Sequence, residues 1–257
     1  MGQLRVPSSP CTSDFGVIYM SDQVQTFQIG DLELELQTSS EVFCPNLTTS
    51  RIAQTLENIE GKQVLDLGCG CGPIAIYMAK HGASKVTAVD VVPLATEIAK
   101  SNVERHGLGD KVSVHCGDLF SPIEDQKFDI IVNDVSGIAE LPGRAAGWYP
   151  SAVPTGGEDG ANVVIRMFQN VKNHLNPGGV LYFATSSLSN VQRILDAANE
   201  YMGQKIEEIG AFRIPFSKEL TDIIEPLTKL CEEGLVSFEA KRSRHLWTLC
   251  VFRVQMP

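Results

Sequence analysis

VLDLGCGCG, residues 64–72, decides the fold. Val64 to Leu67 form a short apolar run with one carboxylate, Asp66, inside it. The run stops at Gly68, and Gly68, Gly70 and Gly72 then alternate with Cys69 and Cys71 before Pro73. An apolar run this short, closed by glycine, reads as a buried strand that turns sharply into a helix. Three alternate positions without a Cβ let the backbone turn tightly and lie flat against a ligand. Pro73 suits a first helical position, where its missing N–H has no role. The glycines are spaced two and two, not two and three as in a dinucleotide fingerprint, and no GxxxxGK phosphate cradle occurs.

Working outward, the same rhythm repeats. A helix is expected over 73–81, a strand over Val86–Val89, a helix over 93–106, and strands over Val112–His115 and Phe128–Val132. A Gly- and Pro-rich loop at 136–160 precedes a helix over 161–175. Asn176-Pro177-Gly178-Gly179 reads as a turn, Val180–Ala184 as a strand and 189–202 as a helix. Strands alternating with helices of this length imply βαβ crossovers and a parallel sheet covered on both faces. Toward the ends, Phe27–Leu36 suggests a strand or hairpin, Thr48–Glu57 a helix, and Ile206–Phe212 and Leu246–Val254 two further strands. A helix-like stretch at 217–233 carries Pro226 as an interruption. The organisation read from this is an N-terminal arm or hairpin over 1–44, with residues 1–20 a candidate lid, and one domain over 45–257 with a helical insertion near 217–245.

The 257 residues, 43% of them hydrophobic, suffice for one sizeable core. The formal net charge of −10 disfavours free nucleic acid as a partner, since a polyanion would meet like charge. Lys241-Arg242-Ser243-Arg244 is a basic cluster that reads as a solvated turn. Seven scattered cysteines fit free thiols in a reducing cytosol, and no ligand set for a metal is apparent. With no long apolar stretch and no signal pattern at the first residues, a soluble, cytoplasmic protein without membrane attachment is expected.

In an open parallel sheet, ligands bind beyond the carboxyl ends of the strands. Carboxylates fall there repeatedly. Asp66 closes the first strand of the βαβ series, Asp90 the second, and Gly117-Asp118-Leu119 follows the third. Asp90 is placed to accept from two ribose hydroxyls, and Asp118 from an exocyclic amine. Each alone also reads as a turn or helix-capping residue.

Together, VLDLGCGCG (64–72), VTAVD (86–90), GDLF (117–120) and FDIIVND (128–134) resemble the class I S-adenosylmethionine-dependent methyltransferases over residues 45–200. The resemblance implies a Rossmann-like α/β fold: a seven-stranded, mostly parallel sheet with helices on both faces and an antiparallel last strand. It implies S-adenosylmethionine as cofactor. Asp66 and Gly68, Cys69, Gly70 and Gly72 would line the methionine portion, Asp90 with Val91 the ribose, and Asp118 with Leu119 the adenine.

The resemblance extends to the group containing the release-factor glutamine methyltransferases, through VFCPNLTTSRIAQTL (42–56) and GGEDGANVV (156–164). That group carries Asn-Pro-Pro-Tyr where this chain has Asn133-Asp134-Val135-Ser136. Asn133 is kept, at the end of the strand and beside the cofactor. The prolines that preset φ and the aromatic that stacks on a planar group are absent. Asp134 instead brings a charge suited to an ammonium or guanidinium group, or to a general base. Asn133 and Asp134 are therefore the candidate catalytic residues. Asp134, Arg144, Trp148 and Tyr149 are the candidate acceptor residues, with Arg144 poised to meet a carboxylate. Trp148 and Tyr149 equally suit core packing, and Arg144 equally suits the surface. Glu158 and Asp159 suit either the pocket or a helix cap.

The reading is a methyltransferase acting on nitrogen, on a small molecule or a protein side chain. RNA or DNA base methylation, and a cofactor-binding scaffold without turnover, are the alternatives. The oligomeric state is not legible in the sequence.

Overall fold

The computed structural model describes residues 24–242 and 244–257. The candidate lid at 1–20 lies outside the described residues, as does Ser243 of the basic cluster. A hairpin comes first, β1 (Val24–Ile29) paired antiparallel with β2 (Leu32–Gln37). Helix α1 (Leu47–Thr55) follows. The βαβ series is β3 (Gln63–Leu67), α2 (Pro73–Lys80), β4 (Lys85–Asp90), α3 (Pro93–Arg105), β5 (Val112–Cys116) and β6 (Phe128–Asn133). Then come α4 (Glu140–Ala145), α5 (Asn162–Val171), β7 (Leu175–Ser186), α6 (Val191–Met202), β8 (Ile206–Pro215), α7 (Lys218–Asp222), α8 (Ile224–Glu232), β9 (Glu239–Lys241) and β10 (Arg244–Gln255).

The main sheet runs in the order β5-β4-β3-β6-β7-β10-β8, and the short β9 pairs with β10. Strands β3 to β7 are mutually parallel, and β10 is antiparallel to both β7 and β8. This is the Rossmann-like, mostly parallel sheet with an antiparallel last strand. The order reverses at β3, which is flanked by β4 and β6, so the mouth beyond β3 is a switch point where a crevice opens.

The pleat sorts side chains between two layers. Val64, Val86, Ala88, Ile130 and Val132 point toward α1, α2 and α3. Leu65, Leu67, Val89, Ile131 and Phe183 point toward α5 and α6. Both faces are buried, which is why these strands read as near-continuous apolar runs. Helix α5 presents Val164, Met167, Phe168 and Val171 at helical spacing. Phe168 meets Phe183 edge-on at 5.0 Å between ring centres, and Phe183 stacks on Phe252 at 5.2 Å. Truncating Phe183 would cost about 3–5 kcal/mol.

Some local readings shift. Asn176–Gly179 is a bulge within β7 and not a turn ahead of it, since β6 pairing skips from Leu175 to Val180. Between β8 and β10 the helices break at Ile223, ahead of Pro226. Pro226 sits in the first turn of α8, where a proline is tolerated. The hairpin packs Ile29, Leu34 and Leu36 into the same core as α1 and α2, so packing is continuous across residues 44 and 45. Asn102 of α3 fastens it, accepting from the Gln37 N–H at 2.7 Å and donating to the carbonyls of Gln37 and Cys71. Among the described residues no helix is long and apolar enough to cross a membrane.

Candidate functional site

A cavity of about 420 Å³ opens beyond the carboxyl ends of β3, β4 and β6. Pockets of this size enclose small-molecule ligands. Its floor is the glycine loop. Gly68, Gly70 and Gly72 all take positive φ, at 85°, 53° and 90°. At Gly68 a Cβ would stand 2.9 Å from the Asp134 carbonyl oxygen and from the backbone of Val135. The glycine loop and the segment leaving β6 therefore touch backbone to backbone, and only glycine permits it. The Asp134 N–H also donates to the Leu67 carbonyl at 3.0 Å.

Asp66 is fully buried and points toward α2, where its Oδ2 accepts from the Ala75 N–H at 2.8 Å. Its Oδ1 is buried without a hydrogen-bond partner. Burial, and next the nearby Asp134, hold its carboxyl well above the usual carboxylate range. Asp90 accepts from the Gly70 N–H at 2.8 Å and the Val92 N–H at 2.9 Å. Burial raises its pKa against those two bonds, which pull the other way. Leu119 holds a left-handed backbone, φ 51°, uncommon for a branched residue and frequent where function constrains the chain. Asp118 is exposed and ion-paired with Arg166 of α5, which also faces the cavity.

At the far side stand Asn133 and Asp134. Asn133 is 2% exposed, and its side-chain oxygen is buried without a partner. Asp134 faces the cavity, and burial pushes its carboxyl up to about 7. Tyr149 is buried, its hydroxyl accepting from the Ile138 N–H at 3.0 Å. Trp148 meets Trp247 of β10 with ring centres 5.7 Å apart.

Of the residues expected at the site, Asp66, Gly68, Cys69, Gly70, Asp90, Val91, Asp118, Leu119, Asn133, Asp134, Trp148 and Tyr149 line this one cavity. Gly72 and Arg144 do not. Gly72 instead faces Ala99 of α3, where a Cβ would make ordinary contact at 3.4 Å, so it is the φ of 90° that calls for glycine there. Arg144, expected to meet a carboxylate in the pocket, stands outside the cavity wall. Its Nη1 donates to the carbonyls of Tyr149 and Pro150, both at 2.6 Å, and its Nε lies 3.6 Å from Glu140, so the guanidinium closes its own loop. Asp159 accepts from the Ala161 N–H in the turn ahead of α5 and pairs with Arg193 at 2.8 Å; it makes no cap bond to the helix. Neither Asp159 nor Glu158 lines the cavity.

Thr185, Trp247, Leu249 and Arg166 also line it. Nothing local in the sequence marks them, because β7, β10 and α5 bring them from far along the chain. The segment leading into α1 does have a signal, VFCPN: Phe43, Pro45 and Asn46 form part of the wall.

Three buried side-chain atoms lack a hydrogen-bond partner among the described residues: Asp66 Oδ1, Asn133 Oδ1 and Thr185 Oγ1. All three belong to residues lining the cavity. Buried polar atoms left unpaired are costly and rare, so three around one space mark where a polar ligand completes them. Acceptor oxygens, close backbone and no basic cradle fit a cation carrying an amine and hydroxyls. They do not suit a phosphate.

Residues 33–134 match the family model of the methyltransferase small domain. A putative protein N5-glutamine methyltransferase of Methanocaldococcus jannaschii is 28% identical over 185 residues, covering 72% of this chain and 92% of that protein. The ribosomal protein uL3 glutamine methyltransferase of Bradyrhizobium diazoefficiens is 40% identical over 47% of this chain and 39% of its own length. The release factor glutamine methyltransferase of Rhodopirellula baltica is 32% identical over 60% and 57% respectively. The chain thus spans roughly half of those two bacterial relatives. Among solved structures, the Thermus thermophilus 16S rRNA N2 G1207 methyltransferase in complex with AdoMet and guanosine shares the fold. Its TM-score is 0.57 at 16% identity, over 91% of this chain and 50% of that one.

Proposed function

We propose that this chain, which belongs to the class I S-adenosylmethionine-dependent methyltransferases, moves the sulfonium methyl group onto a nitrogen of a protein side chain or small molecule. The observation that carries this is the continuity of one cavity from the glycine loop to Asn133 and Asp134, with unpartnered buried oxygens on Asp66 and Asn133. S-adenosylmethionine supplies an electrophilic methyl on positively charged sulfur. The chain's own residues have three tasks.

The first is to hold the donor. Asp66 Oδ1 suits the α-ammonium of the donor, and Asp90, already oriented by the N–H groups of Gly70 and Val92, keeps free lone pairs for ribose hydroxyls. Asp118 and Leu119 lie where the adenine would rest. The second task is alignment. Asn133 offers a carbonyl oxygen to an N–H of the acceptor and so turns the nitrogen lone pair toward the methyl group. Holding donor and acceptor in line accounts for much of such a rate, because the leaving group is already good. The third task is to take a proton, which suits Asp134.

The relatives named above act on glutamine in proteins, which favours a protein acceptor. The formal charge of −10 suits a basic one. The test is incubation of purified protein with methyl-labelled S-adenosylmethionine and separated pools of peptides, metabolites and RNA. Label and S-adenosylhomocysteine should appear with the peptide or metabolite pools. Label entering RNA alone would replace this reading with base methylation. Donor binding without any turnover would leave a scaffold.

A further inference from the structure

We propose that the acceptor is an amine that arrives as a cation, received between Asp134 and a tryptophan pair formed by Trp148 and Trp247. This rests on the methyl-transfer reading above and narrows it to a substrate class. It also names Trp247 as a specificity-determining residue.

The acceptor half of the cavity has one charged side chain, Asp134. No hydrogen bond or ion pair to its carboxylate occurs among the described residues. The basic group expected nearby, Arg144, is spent on the carbonyls of Tyr149 and Pro150. Arg166 is held by Asp118 at the opposite end. A half-buried carboxylate on the cavity wall, unmatched by any cation among the described residues, calls for one from outside. The neighbouring walls are aromatic and apolar. Trp247 is 2% exposed on β10, Trp148 leans on it at a 55° tilt, and Ile138 and Leu249 fill the remainder. Indole faces attract ammonium groups through their ring quadrupole, an attraction that a neutral carboxamide does not gain.

The stacking tyrosine and rigid prolines that would grip a planar amide are missing from Asn133-Asp134-Val135-Ser136. Tyr149 does not replace them, because its ring is packed against Gly143 and its hydroxyl is tied to the Ile138 N–H. The site lacks the flat clamp a carboxamide needs and has the charge and indoles an ammonium needs.

The chemistry balances. The ammonium gives one proton to the Asp134 carboxylate. The freed nitrogen lone pair forms the new N–C bond as the C–S bond breaks. The sulfur keeps that electron pair and becomes a neutral thioether. The product is the methylated ammonium, and Asp134 releases its proton to solvent.

The test compares label transfer from S-adenosylmethionine into n-alkylamines, lysine-containing basic peptides and glutamine-containing peptides. Donor affinity is followed by calorimetry. Amines should take label and carboxamides should not. The alkylamine and lysine-peptide arms tell a small-molecule source from a protein one. Asp134→Asn, nearly isosteric, should lower amine kcat/KM by at least 100-fold and leave the donor Kd within about 3-fold. A trimethylalkylammonium ion, a cation with no proton to give, should inhibit competitively. Trp247→Leu should weaken that inhibition at least 5-fold, and Trp247→Phe serves if the leucine variant does not fold. Label entering glutamine peptides, or full amine turnover in Asp134→Asn, overturns the amine assignment but not methyl transfer. Donor binding with no label in any arm overturns both.

Discussion

The two halves of the cavity are built differently. The donor half comes from residues at or just past the ends of consecutive parallel strands: Asp66 near the end of β3 and Gly68 just after it, Asp90 at the end of β4, Asp118 after β5. Asp66 and Asp90 are fixed by backbone N–H groups of the adjoining segments, Asp66 by Ala75 and Asp90 by Gly70 and Val92, while Asp118 pairs with Arg166. The acceptor half joins Asp134 after β6, Trp148 from the loop beyond it, and Trp247 from β10, about a hundred residues further on. The first half is a local motif repeated along one rim. The second is a meeting of distant segments, and chemistry varies more readily there because no single turn constrains it. Gly68 joins them, lying against the backbone of Asp134 and Val135.

That contrast can be broken by substitution, starting with the largest effect. Asp90→Ala should reduce donor affinity by about 100-fold, since it removes the carboxylate that accepts from the Gly70 and Val92 N–H groups and that we assign to the ribose. Calorimetry measures this directly. Acceptor preference among whatever turnover remains should not change. A variant that binds the donor normally would remove Asp90 from the donor half.

Gly68→Ala tests the join. The added methyl meets backbone at 2.9 Å and the residue must keep φ near 85°. We expect a stability loss of about 2–3 kcal/mol in denaturant unfolding, together with a lower kcat, because the Asp134 segment must move. Unchanged stability with unchanged kcat would mean the two halves are independent.

Asp134 gives a pH signature. Its carboxyl lies at about 7 in the folded protein against an ordinary 3.8, with Asp66 and Tyr149 as the titratable groups around it. Below about 7 it holds a proton and cannot accept another, so wild-type turnover should fall about tenfold per pH unit on the acid side. Asp134→Asn should lack that limb. The sign for stability is opposite to that of a paired carboxylate. Between about 4 and 7 the folded state holds a proton that the unfolded state has lost, so rising pH destabilises the fold. Asp134→Asn should therefore gain stability at pH 8 and little at pH 4. We expect about 1–2 kcal/mol, discounted because the carboxylate faces a cavity that solvent enters. Equal melting shifts at both pH values would contradict the burial of this charge.

The smallest effect belongs to Arg144→Ala. It loosens the turn at Tyr149 and Pro150 and should cost about 1 kcal/mol or less, with KM changed less than about 3-fold. A much larger rise in KM, specific to acceptors bearing a carboxylate, would return Arg144 to the pocket.

The sequence by itself determined the sheet, its alternation with helices and the donor half. Strand periodicity, glycines that must take positive φ, and carboxylates at strand ends are all short-range features, legible wherever the chain is read. It also marked Asn133 and Asp134, because the strand before them is unmistakable. Tertiary structure decided the rest. It turned Arg144 back onto its own loop, set Gly72 beside Ala99 of α3, and paired Asp159 with Arg193. It brought Thr185 and Trp247 to the cavity through the pairing of β7 with β10, a register set by which faces of both strands are buried. Which side chains face one another across the acceptor pocket depends on contacts between segments far apart in the chain, and no local pattern encodes them.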